Sequence, residues 1–186
     1  MRYQQEKFIN ALLFFGKKTD PKKFGITKLL KLLFFSDFLH FKKYGRPILG
    51  DTYFKLPQGP VPTISYNLFN EAFNLKGDAK LKKVARIIDK QIGNFKLGCI
   101  EPLKNFNLDV FSDSDIKIME QVAKKFYDTT GTQMVKDIHK IPFIKNNAEG
   151  IKIDYKKVLK NENDRDYTEM LEEEEEKVTE LLGIHG

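Results

Sequence analysis

Between Leu29 and Phe41 the chain reads LLKLLFFSDFLHF, and at a helical period no side of that run is free of large apolar side chains. A helix that is apolar nearly all round is buried on nearly every side, so the fold has to be assembled around it. Thr27 is placed to cap its start, the pattern carries to about Lys43, and Gly45 stops it. A helix lying on a membrane surface would need a clean polar face, and here the lysines are scattered. No apolar run reaches the roughly 18 residues of a membrane span. The opening MRYQQEKF lacks the apolar stretch and small-residue cleavage site of a signal peptide. The expected location is cytoplasmic.

Elements that cover such a helix can be read on both sides of it. Phe8, Ile9, Leu12, Leu13 and Phe15 recur at three- and four-residue spacings over Tyr3 to Phe15, which predicts an amphipathic helix ended by Gly16. After Gly45 the chain turns extended, with a short strand over Tyr53 to Leu56 and a turn at Gln58-Gly59-Pro60. Helical spacing returns from Pro62 to about Asn74. Residues 81 to 101 fit either a helix, through Leu81, Val84, Ile88 and Ile92, or a hairpin turning at Gly93-Asn94, and the hairpin is the reading adopted. Ser112 with Asp115 marks the start of a helix to about Tyr127, and Thr130 caps a shorter one that Pro142 ends. The expected fold is α+β and predominantly helical: a single domain, residues 1–160, with a buried central helix and a small antiparallel β element. An acidic tail, residues 161–186, follows; Tyr167, Leu171, Val178 and Leu182 keep a weak apolar stripe there, which predicts a helix.

The net charge of +6 conceals two halves of opposite sign: residues 161–186 hold 10 acidic and 2 basic side chains, net −8, which leaves +14 on the body. A basic body admits nucleic acid or an acidic protein as partner, but no helix-turn-helix or RNA-binding signature accompanies it. The single cysteine, Cys99, excludes an internal disulfide framework, and three histidines spread over the chain give no reason to expect a metal or other cofactor. For catalysis the one suggestive feature is a helix face linking Ile26, Leu30, Leu33, Asp37, His40 and Tyr44, on which Asp37 and His40 lie a turn apart and can share a hydrogen bond. No serine or cysteine nucleophile stands in a recognisable context, so no catalytic residue is assigned. An enzyme using Asp37, His40 and His139 as acid–base groups, or a nucleic-acid-binding regulator, remains as the alternative function.

The stretch KKYGRPILGDTYFKLPQGPVP, Lys42 to Pro62, contains four of the seven prolines. Each fixes its own φ and removes a backbone donor, so a nearly rigid extended path replaces regular hydrogen bonding. With the preceding KLLFFSDFLHF and the later LKNFNLDVFSDSDI, this stretch resembles the Panacea domain of the SocA-like antitoxin family, over roughly Ile9 to Leu159. YGRPI, GD and LPQGPVP stand in the family's order and spacing, with Asp37 to Pro62 the most specific portion. His139 in KDIHKIPF matches a histidine that the family follows with a proline and usually a tryptophan; Phe143 occupies the tryptophan's place.

The resemblance implies an antitoxin of a bacterial or phage toxin–antitoxin pair, which binds a cognate protein toxin directly and blocks it without chemistry or cofactor. Some members act as adaptors that present the toxin to a protease, and some are phage-associated. Several carry an added DNA-binding segment, for which these 186 residues leave no room. The implied role of the Pro-Gly stretch is a scaffold that holds Arg46, Asp51, Tyr53 and Gln58 against the Asp37–His40–Tyr44 end of the central helix. Together with His139, these are the expected toxin-binding or scaffold residues.

Overall fold

The computed structural model describes residues 3–73, 79–92 and 94–159. Within them the apolar run forms α2, Ile26–Tyr44, in which every side chain from Lys28 to Phe41 is buried. The elements packed around it include α1 (Gln5–Lys18), α5 (Asp113–Lys125), α6 (Gly131–Ile138), the hairpin strand β2 (Gly59–Pro62) and a 3-10 turn over Tyr155–Leu159. The core is aromatic, with Phe34, Phe38, Tyr53, Phe143 and Tyr155 meeting in a chain of edge and stacked contacts. The fold is α+β and predominantly helical, with seven α-helices and two small antiparallel sheets among the described residues.

Helix α2 starts one residue before Thr27, with Gly25 at its cap and no side-chain cap bond, so the predicted Thr27 cap is corrected. Its far end is closed as expected, by Gly45 in the left-handed region at φ 70°, donating its amide to Phe41 O. Two lysines that the pattern left scattered are themselves buried and reach backbone carbonyls of other segments. Lys28 Nζ donates to Tyr127 O at 2.8 Å and Lys31 Nζ to Pro60 O at 2.7 Å. Burial pushes the Lys31 ammonium down to about 7 and that of Lys28 to about 8.

Strand β1 (Tyr53–Leu56) pairs with β2, and on its other edge with β5 (Lys152–Ile153). The segment GPVP, read from sequence only as a turn running into a helix, is thus a strand. It tolerates prolines because it is an edge strand: Pro60 and Pro62 face Lys55 and Tyr53, positions whose missing amides point away from the ladder. Helix α3 (Thr63–Phe73) follows directly, then the short α4 (Ala79–Lys82). The ambiguous region forms a hairpin, β3 (Ala85–Ile92) with β4 (Phe95–Pro102). Helix α5 carries the anticipated capping box between Ser112 and Asp115. Thr130 caps α6, which ends at His139; Pro142 opens α7 (Pro142–Lys145) at its first turn rather than closing α6. The acidic tail lies outside the described residues.

Gly16 does not stop α1, which continues to Lys18. A Cβ at that position would lie 2.4 Å from Pro102 Cγ and 3.0 Å from a Phe24 ring carbon, so the glycine is the place where α1 rests on β4. Ala for Gly inside a helix ordinarily stabilises by about 0.5–1 kcal/mol. Here Gly16→Ala is expected to lower the unfolding free energy by about 1–3 kcal/mol through overpacking, read from urea midpoints.

Candidate functional site

The Pro-Gly path is fastened to α2 by a carboxylate. Asp37 is wholly buried, and its Oδ1 accepts the amides of Ile48 at 2.9 Å and Leu49 at 2.7 Å. Its Oδ2 accepts from the Tyr53 hydroxyl at 3.1 Å and the Tyr155 hydroxyl at 3.0 Å. Four donors from three separate segments therefore converge on one side chain. Burial pushes its pKa up to about 6, against the opposing pull of the Leu49 amide and the two hydroxyls. At neutral pH the group is an anion, able to accept from all four.

Asp51 does the same further along the path. Its Oδ1 accepts the amides of Thr52 at 2.6 Å and Ile64 at 3.0 Å, and its Oδ2 accepts the amide and hydroxyl of Ser65 at 2.8 and 2.7 Å. The first turn of α3 is thus capped from a residue 13 and 14 positions upstream of the amides it accepts, because Pro62 and Thr63 leave its leading amides without a local carboxylate. Tyr3 OH meets Ser65 Oγ at 3.1 Å and ties the chain's beginning to the same cluster. The Tyr155 proton is shared with Asp51 O, 2.8 Å away, which couples the two carboxylate sites.

His40 joins a different carboxylate. Its Nδ1 lies 2.6 Å from Arg46 O and, facing a carbonyl, is the donor of that bond. Its Nε2 faces Ser114 Oγ at 3.0 Å and Asp115 Oδ1 at 3.1 Å. Asp115 is itself fully buried and gathers Lys7 Nζ at 2.5 Å and Arg46 Nη1 at 3.0 Å. Burial opposes its ionisation, but the bonds from His40, Lys7 and the Ser112 amide outweigh this and hold its carboxyl well below the usual carboxylate range. The Asp37–His40 hydrogen bond that their spacing allows is not made: each side chain is taken up by other partners.

The eight residues picked out from sequence fall into three places. Asp37, Asp51 and Tyr53 form the buried cluster under the path. His40, Tyr44 and Arg46 stand at the C-terminal end of α2, where the Tyr44 ring packs on His40 at 4.7 Å; Tyr44 is 47% exposed and the Arg46 side chain 46%. Gln58 is exposed at the β1–β2 turn, and His139 reaches that turn through Nε2, 3.2 Å from Pro57 O. Gly59 makes the turn at φ 85°, with Ile138 and Lys31 close beneath it. Phe143, standing where the family usually has tryptophan, is buried and stacks on Phe38 at 5.8 Å. Asp115, Tyr155, Lys7 and Ser65 were missed as site residues; only Asp115 carried a signal, its capping-box spacing from Ser112.

Both oxygens of Asp37 and of Asp51 are saturated, and neither residue is exposed. This arrangement holds a backbone in shape and leaves no open acceptor for a substrate proton. Among the described residues no three His, Cys, Asp or Glu side chains gather into a metal-holding group. No described helix is long and apolar enough to cross a membrane.

The two carboxylates leave opposite signatures in stability. Asp37 titrates higher in the folded chain than the roughly 4 of an unfolded carboxylate, so its contribution is fully present below about pH 4 and lost as the pH rises through 6. Asp115, held low, contributes above about pH 4 and loses that contribution as the pH falls further. In urea unfolding at pH 4, 5, 6 and 7, the stability difference between wild type and Asp37→Asn should shift toward the variant by on the order of 2 kcal/mol between pH 4 and 7.

The family model described as antitoxin SocA-like, Panacea domain, matches residues 29–143, from the second turn of α2 to α7. No curated protein and no solved structure matches the chain. The matched span takes in Asp37, Asp51, Asp115 and the β1–β2 turn, with Lys7 and Tyr155 outside it, and the chain belongs to the SocA-like antitoxin family with a Panacea domain.

Proposed function

We propose that this protein is the antitoxin of a toxin–antitoxin pair and neutralises its cognate protein toxin by direct contact through the surface that the Pro-Gly path shapes. The observation that carries this reading, beside the family match, is the anchoring of that path. Asp37 and Asp51 accept eight bonds between them, four from the path itself, three from the start of α3 and one from Tyr155, so the path is fixed before any partner arrives. A surface held in its binding shape gives up less conformational entropy on association, which favours tight capture.

In this reading the buried candidates are scaffold and the exposed ones are contacts. Asp37, His40, Asp51 and Tyr53 set the backbone, while Tyr44 and Arg46 on one side and Gln58 with His139 at the turn meet the toxin. The role needs no chemistry and no cofactor, and its setting is the cytoplasm of a bacterium, in a gene pair of bacterial or phage origin. Presentation of the captured toxin to a protease is a compatible second step. Residues 1–160 are the toxin-neutralising domain and residues 161–186 an appended acidic segment.

The test is co-expression with the product of the adjacent reading frame, scored by growth rescue and co-purification. Tyr44→Ala and Gln58→Ala are expected to keep the parental melting temperature and to weaken toxin binding about tenfold or more, the scale of one interface anchor. Asp37→Ala, which leaves buried amides and hydroxyls without their acceptor, is expected to lose about 1–3 kcal/mol of stability and rescue together. Unchanged binding in the Tyr44, Arg46, Gln58 and His139 variants would move the contact surface elsewhere. An adjacent product that is not toxic, and does not bind, would remove the antitoxin reading.

A further inference from the structure

At the opposite end of α2 from Tyr44 and Arg46, a groove of about 550 Å³ opens between the start of α2, the start of α6, α3 and the β3–β4 hairpin. Its apolar walls are Ile26, Phe69, Ile87 and Leu97, of which Ile87 is 39% and Leu97 36% exposed. Lys23, Lys28 and Lys96 also line it; among the described residues no aspartate or glutamate does, although Asp89 stands beside it, its Oδ1 4.0 Å from where a Cβ on Gly98 would lie. Lys23 is paired with the exposed Asp128 and Lys28 is bonded to Tyr127 O, while Lys96 is exposed on the hairpin.

Two helix starts add to that sign. Helix α2 begins on Gly25 without a side-chain cap, and α6 begins at Gly131 behind its Thr130 cap, a Cβ at Gly131 standing 3.0 Å from Lys28 N. The positive ends of both helices thus face one groove. Its chemistry suits a ligand that alternates large apolar side chains with carboxylates.

Such a segment exists in the same chain. Residues 166–176 read DYTEMLEEEEE, within a tail of net −8 that follows a body of net +14. The tail leaves from the 3-10 turn, whose Tyr155 stacks on Phe38 and packs on Phe41 toward the far end of α2. Helix α2 is about 28 Å long at 1.5 Å per residue. The eleven residues from Leu159 to Met170 can span about 36 Å, so Met170 and Leu171 are within reach of the groove. Tethering supplies an effective concentration near the millimolar range, enough for a modest contact to be populated.

We propose that the acidic segment following residue 159 docks intramolecularly in this groove, its apolar side chains on Ile87, Leu97 and Phe69 and its carboxylates toward Lys96 and the two helix starts. This places a covered, acid-seeking surface at the end of α2 remote from the proposed toxin contacts, and it does not depend on the antitoxin reading. Zero-length carbodiimide cross-linking of the full chain, followed by peptide mapping, tests it. Links from the glutamates of 169–176 should concentrate on Lys96, within one molecule when isotope-labelled and unlabelled chains are mixed. In a second measurement, cleavage of the tail by a glutamate-specific protease should speed up roughly threefold or more in Lys96→Glu, the scale of one reversed partly exposed charge contact. Lys152→Glu, on the exposed face of β5, should match the parent. Links scattered over body lysines without preference for Lys96 would overturn the proposal, as would links only between molecules, or equal cleavage of Lys96→Glu and parent.

Discussion

The fold turns on a single desolvated carboxylate. Asp37 sits in the middle of a helix whose neighbours are leucines and phenylalanines, and an anion there is tolerable only because four donors meet it. The donors come from the loop after α2, from β1 and from the 3-10 turn near the end of the described chain. Each of these segments is also packed into the core, β1 through its pairing with β2 and β5 and Tyr155 through its stacking on Phe38, and the carboxylate is the point at which they meet. The carboxylate therefore fixes the course of the Pro-Gly path more than the prolines do: they limit what the path can be, and Asp37 decides where it goes. Asp51 then passes the constraint on to α3, and the shared Tyr155 proton closes the circuit between the two.

Much of this architecture was legible in the sequence. The all-round apolar character of α2 required its burial, the Tyr53 to Leu56 strand and the 81–101 hairpin followed from alternation and turn residues, and Ser112 with Asp115 announced the start of α5. What could not be read is equally physical. Gly16 looked like a stop because close packing against Pro102 leaves no local trace. GPVP looked like a turn because prolines argue against a strand unless one edge is known to be free. Asp37 and His40 looked like a pair because spacing along a helix reports which side chains share a face, not what covers that face. The hydroxyl that reaches Asp37 belongs to Tyr155, 118 positions away, and no local pattern points there.

Around this frame the charged residues divide their labour. Buried lysines at 28 and 31 of α2 and at 55 of β1 reach backbone carbonyls of other segments, which is why a helix carrying the first two still packs on every side. Asp115 collects Lys7, His40 and Arg46 and so ties α1 and α5 to the end of α2. These contacts leave a few exposed side chains standing on a stiff base, the arrangement that the proposed recognition role calls for. The family to which the chain belongs supplies the class of partner; the anchoring explains how a surface rich in glycine and proline can nevertheless be well defined.

The claim that Asp37 holds the path closed is read most directly from native-state hydrogen exchange at the amides of Ile48 and Leu49. Both donate to its carboxylate and neither belongs to a helix or strand. If the account is right, these loop amides exchange only through global unfolding, with the same opening free energy as the core of α2. Exchange through a local opening several kcal/mol easier than global unfolding would contradict it, because the path would then be mobile before any partner binds.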